Sequence, residues 1–159
     1  LSKSRLSVTD VHKALQALGV EMWKTNSREV SETRVKEIFG DTNRLWNDSI
    51  LHALQEEGVL IRQTSQENEE EAAWSGPGAA SNRGELVVSV VYDLLAGHIV
   101  ASAILIAGGN GFASTLGSPE VAAKFNGDPA GVHPLAVDIF DALAFLLPTH
   151  ALGHLWEHT

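Results

Sequence analysis

Apolar residues recur at helical spacing through the first third of the chain, and each run is bracketed by residues that start or stop a helix. Val8, Val11, Leu15 and Leu18 share one face behind Ser7, which can cap the first free N–H groups, and Asp10 lies near the positive end of the helix dipole. Beyond Met22 and Trp23, Ser31 is a second cap ahead of Val35, Ile38 and Phe39, and Gly40 supplies a left-handed stop. A third helical pattern runs from about Leu45 through Ile50, Leu51 and Leu54 to Gly58, where the extended run 59–62 begins. Residues 63–84 are polar, acidic at Glu67, Glu69, Glu70 and Glu71, and then rich in Gly, Pro, Ser and Ala, so they read as a flexible loop. The β-branched stretch 86–92 can return antiparallel to 59–62. Three helices followed by a long-tipped hairpin predict a winged helix over residues 1–92, with its wing loop at 63–84.

From Leu94 the pattern is helical to the end. Leu94, Leu95, Ile99, Ala103 and Ile106 recur at near-helical spacing, and Asp93 can cap that helix. Residues 86–107 have the length of a membrane span, but Asp93, Gly97 and His98 would be costly in lipid and no Lys or Arg cluster flanks them. A strand followed by a buried helix is the better reading, and no membrane partner is expected. Ser118, Pro119 and Glu120 carry the cap, first-turn proline and first-turn acid of a helix reaching about Phe125, and the run 126–129 breaks it. His133 and Pro134 open another, with Leu135, Ile139, Leu143 and Leu146 facing inward until Pro148 stops it; a last short helix carries Leu152 and Leu155. The expected class is therefore mainly α with a small β-hairpin: a winged helix, then residues 93–159 as the start of an α-helical array of the HEAT or TPR kind.

Composition narrows the function classes. The 159 residues are 44% hydrophobic and 19% charged, as in ordinary folded domains. Cysteine is missing, which excludes disulfides, thiolate metal sites and cysteine nucleophiles. The net charge of -9 is local: residues 1–64 hold nine basic and nine acidic side chains, whereas 65–159 hold two and eleven. A winged helix commonly reads DNA through its third helix. That helix here offers Arg44, Asn47, Asp48, Gln55, Glu56 and Glu57, and the wing tip adds four Glu, so phosphates would be repelled. Nucleic acid is not an expected partner, and a DNA-binding regulator stands as the alternative beside a small protein-interaction adaptor. The opening residues show no charged leader followed by an apolar core, and the expected compartment is the cytoplasm.

Enzyme-like motifs fail on their details. His150, His154 and His158 recur every four residues on one helix face, but a helical two-histidine zinc site needs Glu beside the first His, where Ala151 stands. All three also span about 12 Å, so at most an adjacent pair could hold one ion. The run 108–111 is glycine-rich without the Lys-Ser or Lys-Thr of a P-loop, and no Gly-x-Ser-x-Gly elbow occurs. Paired acids such as Glu56 with Glu57, or Asp138 with Asp141, read as solvated helix faces. The chain is expected to be no enzyme by itself, with no catalytic residue and no cofactor of its own.

Three segments carry a family resemblance. Residues 21–30 (EMWKTNSREV), 51–60 (LHALQEEGVL) and 90–101 (VVYDLLAGHIVA) resemble the region after the nucleotide-binding core of bacterial STAND-type NTPases, the NACHT-like and NB-ARC-like signalling ATPases, many of them antiviral; 141–148 (DALAFLLP) looks like the helical segment that follows. In that family a winged helix packs on the ADP-bound core and holds the switch closed, and a Met-His-Asp signature at the end of the wing reaches the nucleotide. The resemblance places Val91, Tyr92 and Asp93 there, with Tyr92 where the His would be; a phenol cannot make the charged contact of an imidazolium. His98, about a turn and a half on, is a further polar candidate for nucleotide sensing. The resemblance implies an excised regulatory module of a larger ATPase, whose partner is an intramolecular NTPase core and whose ATP or ADP is held elsewhere in the parent protein.

Overall fold

A computed structural model describes residues 6–65 and 84–157. Helix α1 (Val8–Thr25) starts where Ser7 Oγ accepts the Asp10 N–H at 3.1 Å, and Leu18 and Met22 on its inner face are almost fully buried. It ends on Asn26 in the left-handed region at φ 53°, an uncommon conformation for a side-chain-bearing residue. Strand β1 (Glu29–Ser31) leads directly into α2 (Glu32–Phe39), which Ser31 caps and Gly40 ends at φ 71°. A 3-10 turn (Trp46–Asp48) precedes α3 (Ile50–Glu56). Strands β2 (Leu60–Thr64) and β3 (Leu86–Val90) complete a three-stranded antiparallel sheet in the order β1-β3-β2, in which Val88 faces Val30 on one side and Arg62 on the other.

Two expectations change in this half. The hairpin is a three-stranded sheet, because β1 supplies a further edge; three residues are too few to show an alternating pattern. The third helix begins at Ile50 rather than near Leu45: Ser49 is its N-cap, with Oγ accepting the His52 N–H at 3.0 Å, and a buried acid adds to it, Asp41, 3% exposed, accepting the Ile50 and Leu51 N–H groups at 3.0 Å each. Each such bond to a charged acceptor contributes about 1.5–3 kcal/mol, and they hold the free end of α3 in a place water does not reach. Residues 66–83, most of the expected wing loop, lie outside the described residues.

Helix α4 (Asp93–Gly108) is the hub, lying between α1 and α7 (Ala136–Glu157), while the short helices α5 (Phe112–Leu116) and α6 (Pro119–Asn126) link the two long ones. Both of its contacts require glycine. A Cβ on Gly19 of α1 would come within 2.7 Å of the Ile99 carbonyl oxygen, and one on Gly97 within 2.5 Å of the Asp138 carbonyl carbon. With backbones this close, α4 is buried on most sides: Ala96, Ile99, Val100, Ala101, Ala103, Ile104 and Leu105 are all core. The buried helix expected from the sequence is there, though Leu94, Leu95 and Ile106 of its recurring apolar positions are exposed. One apolar cluster runs from Leu18 and Val35 through Val88 and Val100 to Leu135, Ile139 and Leu143, continuing across the boundary expected at Tyr92.

The last helix also departs from expectation. Pro148 does not stop α7, which continues to Glu157, so Leu152 and Leu155 belong to the same helix rather than a separate one. A proline interior to a helix removes one N–H bond and tends to kink the axis without always ending it. Leu135, Ile139 and Leu143 point inward as the spacing implies, and Leu146 is half-buried. Ser118, Pro119 and Glu120 open α6 as read, with Ser118 Oγ accepting the Val121 N–H at 3.3 Å. No helix among the described residues is long and apolar enough to cross a membrane.

Candidate functional site

The residues singled out for sensing lie at the junction of β3 and α4. Strand pairing ends where the Val91 N–H donates to the Val59 carbonyl at 3.0 Å, and Tyr92, still extended at φ -113° and ψ 128°, is the N-cap of α4 without a side-chain capping bond. Asp93 therefore does not cap the helix, as the sequence had suggested; it sits in the first turn, near the positive end of the dipole, and pairs with Arg28 from the link before β1. That pair is half-exposed and ties the edge of the sheet to the start of the hub helix.

Tyr92 is 66% exposed, and Val91, Leu94 and Leu95 are exposed beside it. His98 is exposed as well, and lies four and three residues after Leu94 and Leu95, so the three share one face of α4. Asp93, five residues before His98, points elsewhere and is already matched by a guanidinium. The structure thus groups Tyr92, Leu94, Leu95 and His98 into an apolar patch with a phenol and an imidazole at its edges, and leaves Asp93 to the Arg28 pair. Such a patch can pack and donate hydrogen bonds.

The other candidates scatter. Gly108 ends α4, and Gly109, at φ 49°, begins a 3-10 turn (Gly109–Gly111) that joins it to α5. His150 and His154 fall in the final turns of α7, and His158 lies outside the described residues; among the described residues no group of three His, Asp or Glu could hold a metal ion. On α2 and β2, which pack beside α3, two basic groups are committed to one acid. Glu32 takes Arg62 Nε at 2.9 Å and Lys36 Nζ at 2.7 Å, and Arg62 also lies over the Trp46 ring at 4.8 Å. Burial pushes the Glu32 carboxyl up, but Lys36 and Arg62 together hold it below its ordinary value.

Two features escaped the sequence reading. The first is a buried polar cluster at the end of α1. His133, 1% exposed, stacks on Trp23 with ring centroids 5.7 Å apart, and Lys124 Nζ donates to the Trp23 carbonyl at 2.7 Å and to Asn26 Oδ1 at 3.3 Å. His133 reads in the sequence as a helix opener, and its hint was a lone imidazole directly before an apolar helix. The second is an apolar groove of about 650 Å³ among α5, α6 and α7, lined by Leu116, Val121, Phe125, Val137, Phe140 and Leu147 among others. Val137 and Phe140 lie off the inward stripe of α7, so the spacing of that stripe does not single them out. No family model, curated protein or solved structure matches the chain.

Proposed function

We propose that this chain is a non-catalytic regulatory module of a STAND-type signalling NTPase: a winged helix with the first turns of a helical array, working by packing on the nucleotide-binding core. The observation that carries the reading is the exposed patch of Val91, Tyr92, Leu94 and Leu95 at the β3–α4 junction, the place the family resemblance assigns to the contact with the nucleotide-bound core. Four large apolar side chains exposed side by side where a strand turns into a helix fit a protein contact better than open water. The order α1, β1, α2, α3, β2, β3 and the strand order β1-β3-β2 support the winged-helix part, and the helices that follow support the array. The Arg28–Asp93 pair gives the module a fixed geometry at that contact, so that a change in the core is felt by sheet and hub helix together. In such a switch, packing favours a closed state and nucleotide exchange biases it toward an open, assembling one.

The test uses this chain alone and joined to the P-loop core that the reading requires. Alone, it binds neither ATP nor ADP by calorimetry and hydrolyses neither. Joined to the core, Tyr92→Ala combined with Leu94→Ser speeds release of bound ADP. ATPase activity from the isolated chain, or an ADP release rate indifferent to those substitutions, overturns the reading. Submicromolar, salt-sensitive binding to short duplex DNA would replace it with a transcription regulator.

A further inference from the structure

His133 is held so that its protonation state and its packing cannot vary independently. Its Nε2 lies 2.9 Å from the Met22 carbonyl oxygen, which can only accept, and its Nδ1 lies 3.0 Å from the Leu135 N–H, which can only donate. The neighbours therefore fix one tautomer of the neutral ring, with the hydrogen on Nε2 and a bare Nδ1. A proton on Nδ1 would set two donors against each other, abolish the Leu135 bond and leave that N–H without an acceptor at the entry to α7.

Around the ring, the same short link is tied both to the end of α1 and to α6. Asn26 Nδ2 donates to the carbonyls of Gly131 at 3.1 Å and Val132 at 3.3 Å, and the His133 N–H donates to the Lys124 carbonyl at 2.8 Å. The groups packed on the imidazole do not welcome positive charge. From α1 come the Trp23 ring and the Met22 carbonyl; from α6 comes the Lys124 ammonium, 4.8 Å over that same Trp23 ring. Of the acids in the link and at the start of α7, Asp128 accepts the Ala130 N–H, and Asp138 meets Gly97 through its backbone and Cβ. An imidazolium here would also stand just before the N-terminus of α7, where the helix dipole is positive.

We propose that His133 is an acid-released latch: uptake of a proton at Nδ1 breaks the Leu135 bond and frees the α6–α7 link from the end of α1. The inference stands on this cluster and not on the reading of the β3–α4 patch. Burial, with Lys124 assisting against the Met22 bond, holds the His133 imidazole below its ordinary value. The folded state therefore prefers the neutral ring. The stabilisation from the latch is complete above the ordinary imidazole value of about 6.5 and is lost as the pH falls below it toward the lowered folded value.

The test is an NMR titration of the full chain between about pH 7.5 and pH 5, following the His133 ring and the exchange protection of the Leu135 amide. The expected result is an Nε2–H tautomer at neutral pH and a titration below the ordinary imidazole range. In step with it, Leu135 protection, corrected for intrinsic exchange, falls by up to about tenfold for each unit by which the two values differ. His133→Gln keeps a donor and an acceptor without a titrating group, and abolishes the pH dependence of that protection. Lys124→Met leaves the imidazole in place and moves its titration upward. If His133→Gln does not fold, the wild-type titration decides alone. A ring that titrates at or above the ordinary value, or a Leu135 amide whose protection ignores the ring's titration, overturns the proposal.

Discussion

The two halves of the molecule finish their surfaces differently. In the helix-and-sheet half, charged side chains close the seams between elements: Arg34 grips Glu21 with two nitrogens at 3.1 and 3.2 Å to tie α2 to α1, Glu32 gathers Lys36 and Arg62, and Asp41 caps α3. In the half built from α4 to α7, no ion pair joins two of the described residues, and Val137, Phe140 and Phe145 are each more than 60% exposed. The first half is closed between its elements by these charged groups, although Val8, Leu45 and the Val91 and Tyr92 end of its sheet are exposed. The second exposes apolar area on the outer side of α7, next to an open groove, as parts of proteins that make contacts do. Yet both draw on one core, so the contrast concerns surface rather than stability, and it can be tested on that ground.

The largest effect is expected at the shared core. Ile139 on α7 is fully buried, and Ile139→Ala should cost about 2–5 kcal/mol through lost burial and a residual cavity. Urea unfolding followed at the same time by helix circular dichroism and by NMR signals of β3 should show one transition, moved equally at both probes. A β3 transition that stays in place would make the halves independent. Next comes Gly97→Ala at the α4–α7 crossing. Alanine normally favours a helix over glycine by about 1 kcal/mol, but here its methyl meets the Asp138 backbone, and overpacking of about 1–3 kcal/mol should reverse the sign. A thermal melt that rises in Gly97→Ala would show that α7 can shift outward freely.

How far the sequence foretold this structure depends on what each feature rests on. Local chemistry read correctly: Ser7, Ser31, Ser118 and Pro119 start helices, and Gly40 ends one, because caps and stops act within a turn. Features made by tertiary contact did not. β1 is a strand only because β3 lies beside it, and Leu94 and Leu95 face outward because Gly97 and Gly19 pull α4 in by its small-residue sides. Pro148 misled because a proline inside a helix removes one backbone bond and can bend the helix without ending it. Of the candidate site, Tyr92 and His98 are both exposed, which their spacing in the sequence did not determine. Asp93 was given a cap's role because its partner, Arg28, is far away in sequence, and the His133 cluster joins residues over a hundred positions apart.

A smaller effect separates the polar seam of the first half by pH. Glu32 is buried with Arg62 and Lys36 around it, and its folded value lies below the ordinary one. The stability it contributes is therefore present above the ordinary glutamate range and is lost as the pH falls through the lowered folded value. Glu32→Gln should cost about 1 kcal/mol at neutral pH, the two cations being part-exposed and screened. The gap between wild type and variant should close on acidification. A gap that does not narrow at all between neutral pH and about pH 3, below the ordinary glutamate value, would mean that Glu32 acts through packing instead of charge.

The smallest expected change in stability carries the contrast furthest. Phe140 is 62% exposed, lies 6.2 Å from the Phe125 ring and lines the groove. Replacing it with Ser removes apolar surface that water already touches, so Phe140→Ser should leave the melting temperature nearly unchanged, within about 0.5 kcal/mol of wild type. What should change is stickiness: less binding of a hydrophobic dye and weaker self-association in sedimentation, because the apolar area of the α6–α7 side is cut. A substitution of the same chemistry at buried Phe39, 5% exposed in the first half, should instead cost several kcal/mol, about 3–5 by the usual scale for emptying an aromatic site. If Phe140→Ser proved as destabilising as Phe39→Ser, the outer side of α7 would belong to the core, and the second half would be as closed as the first.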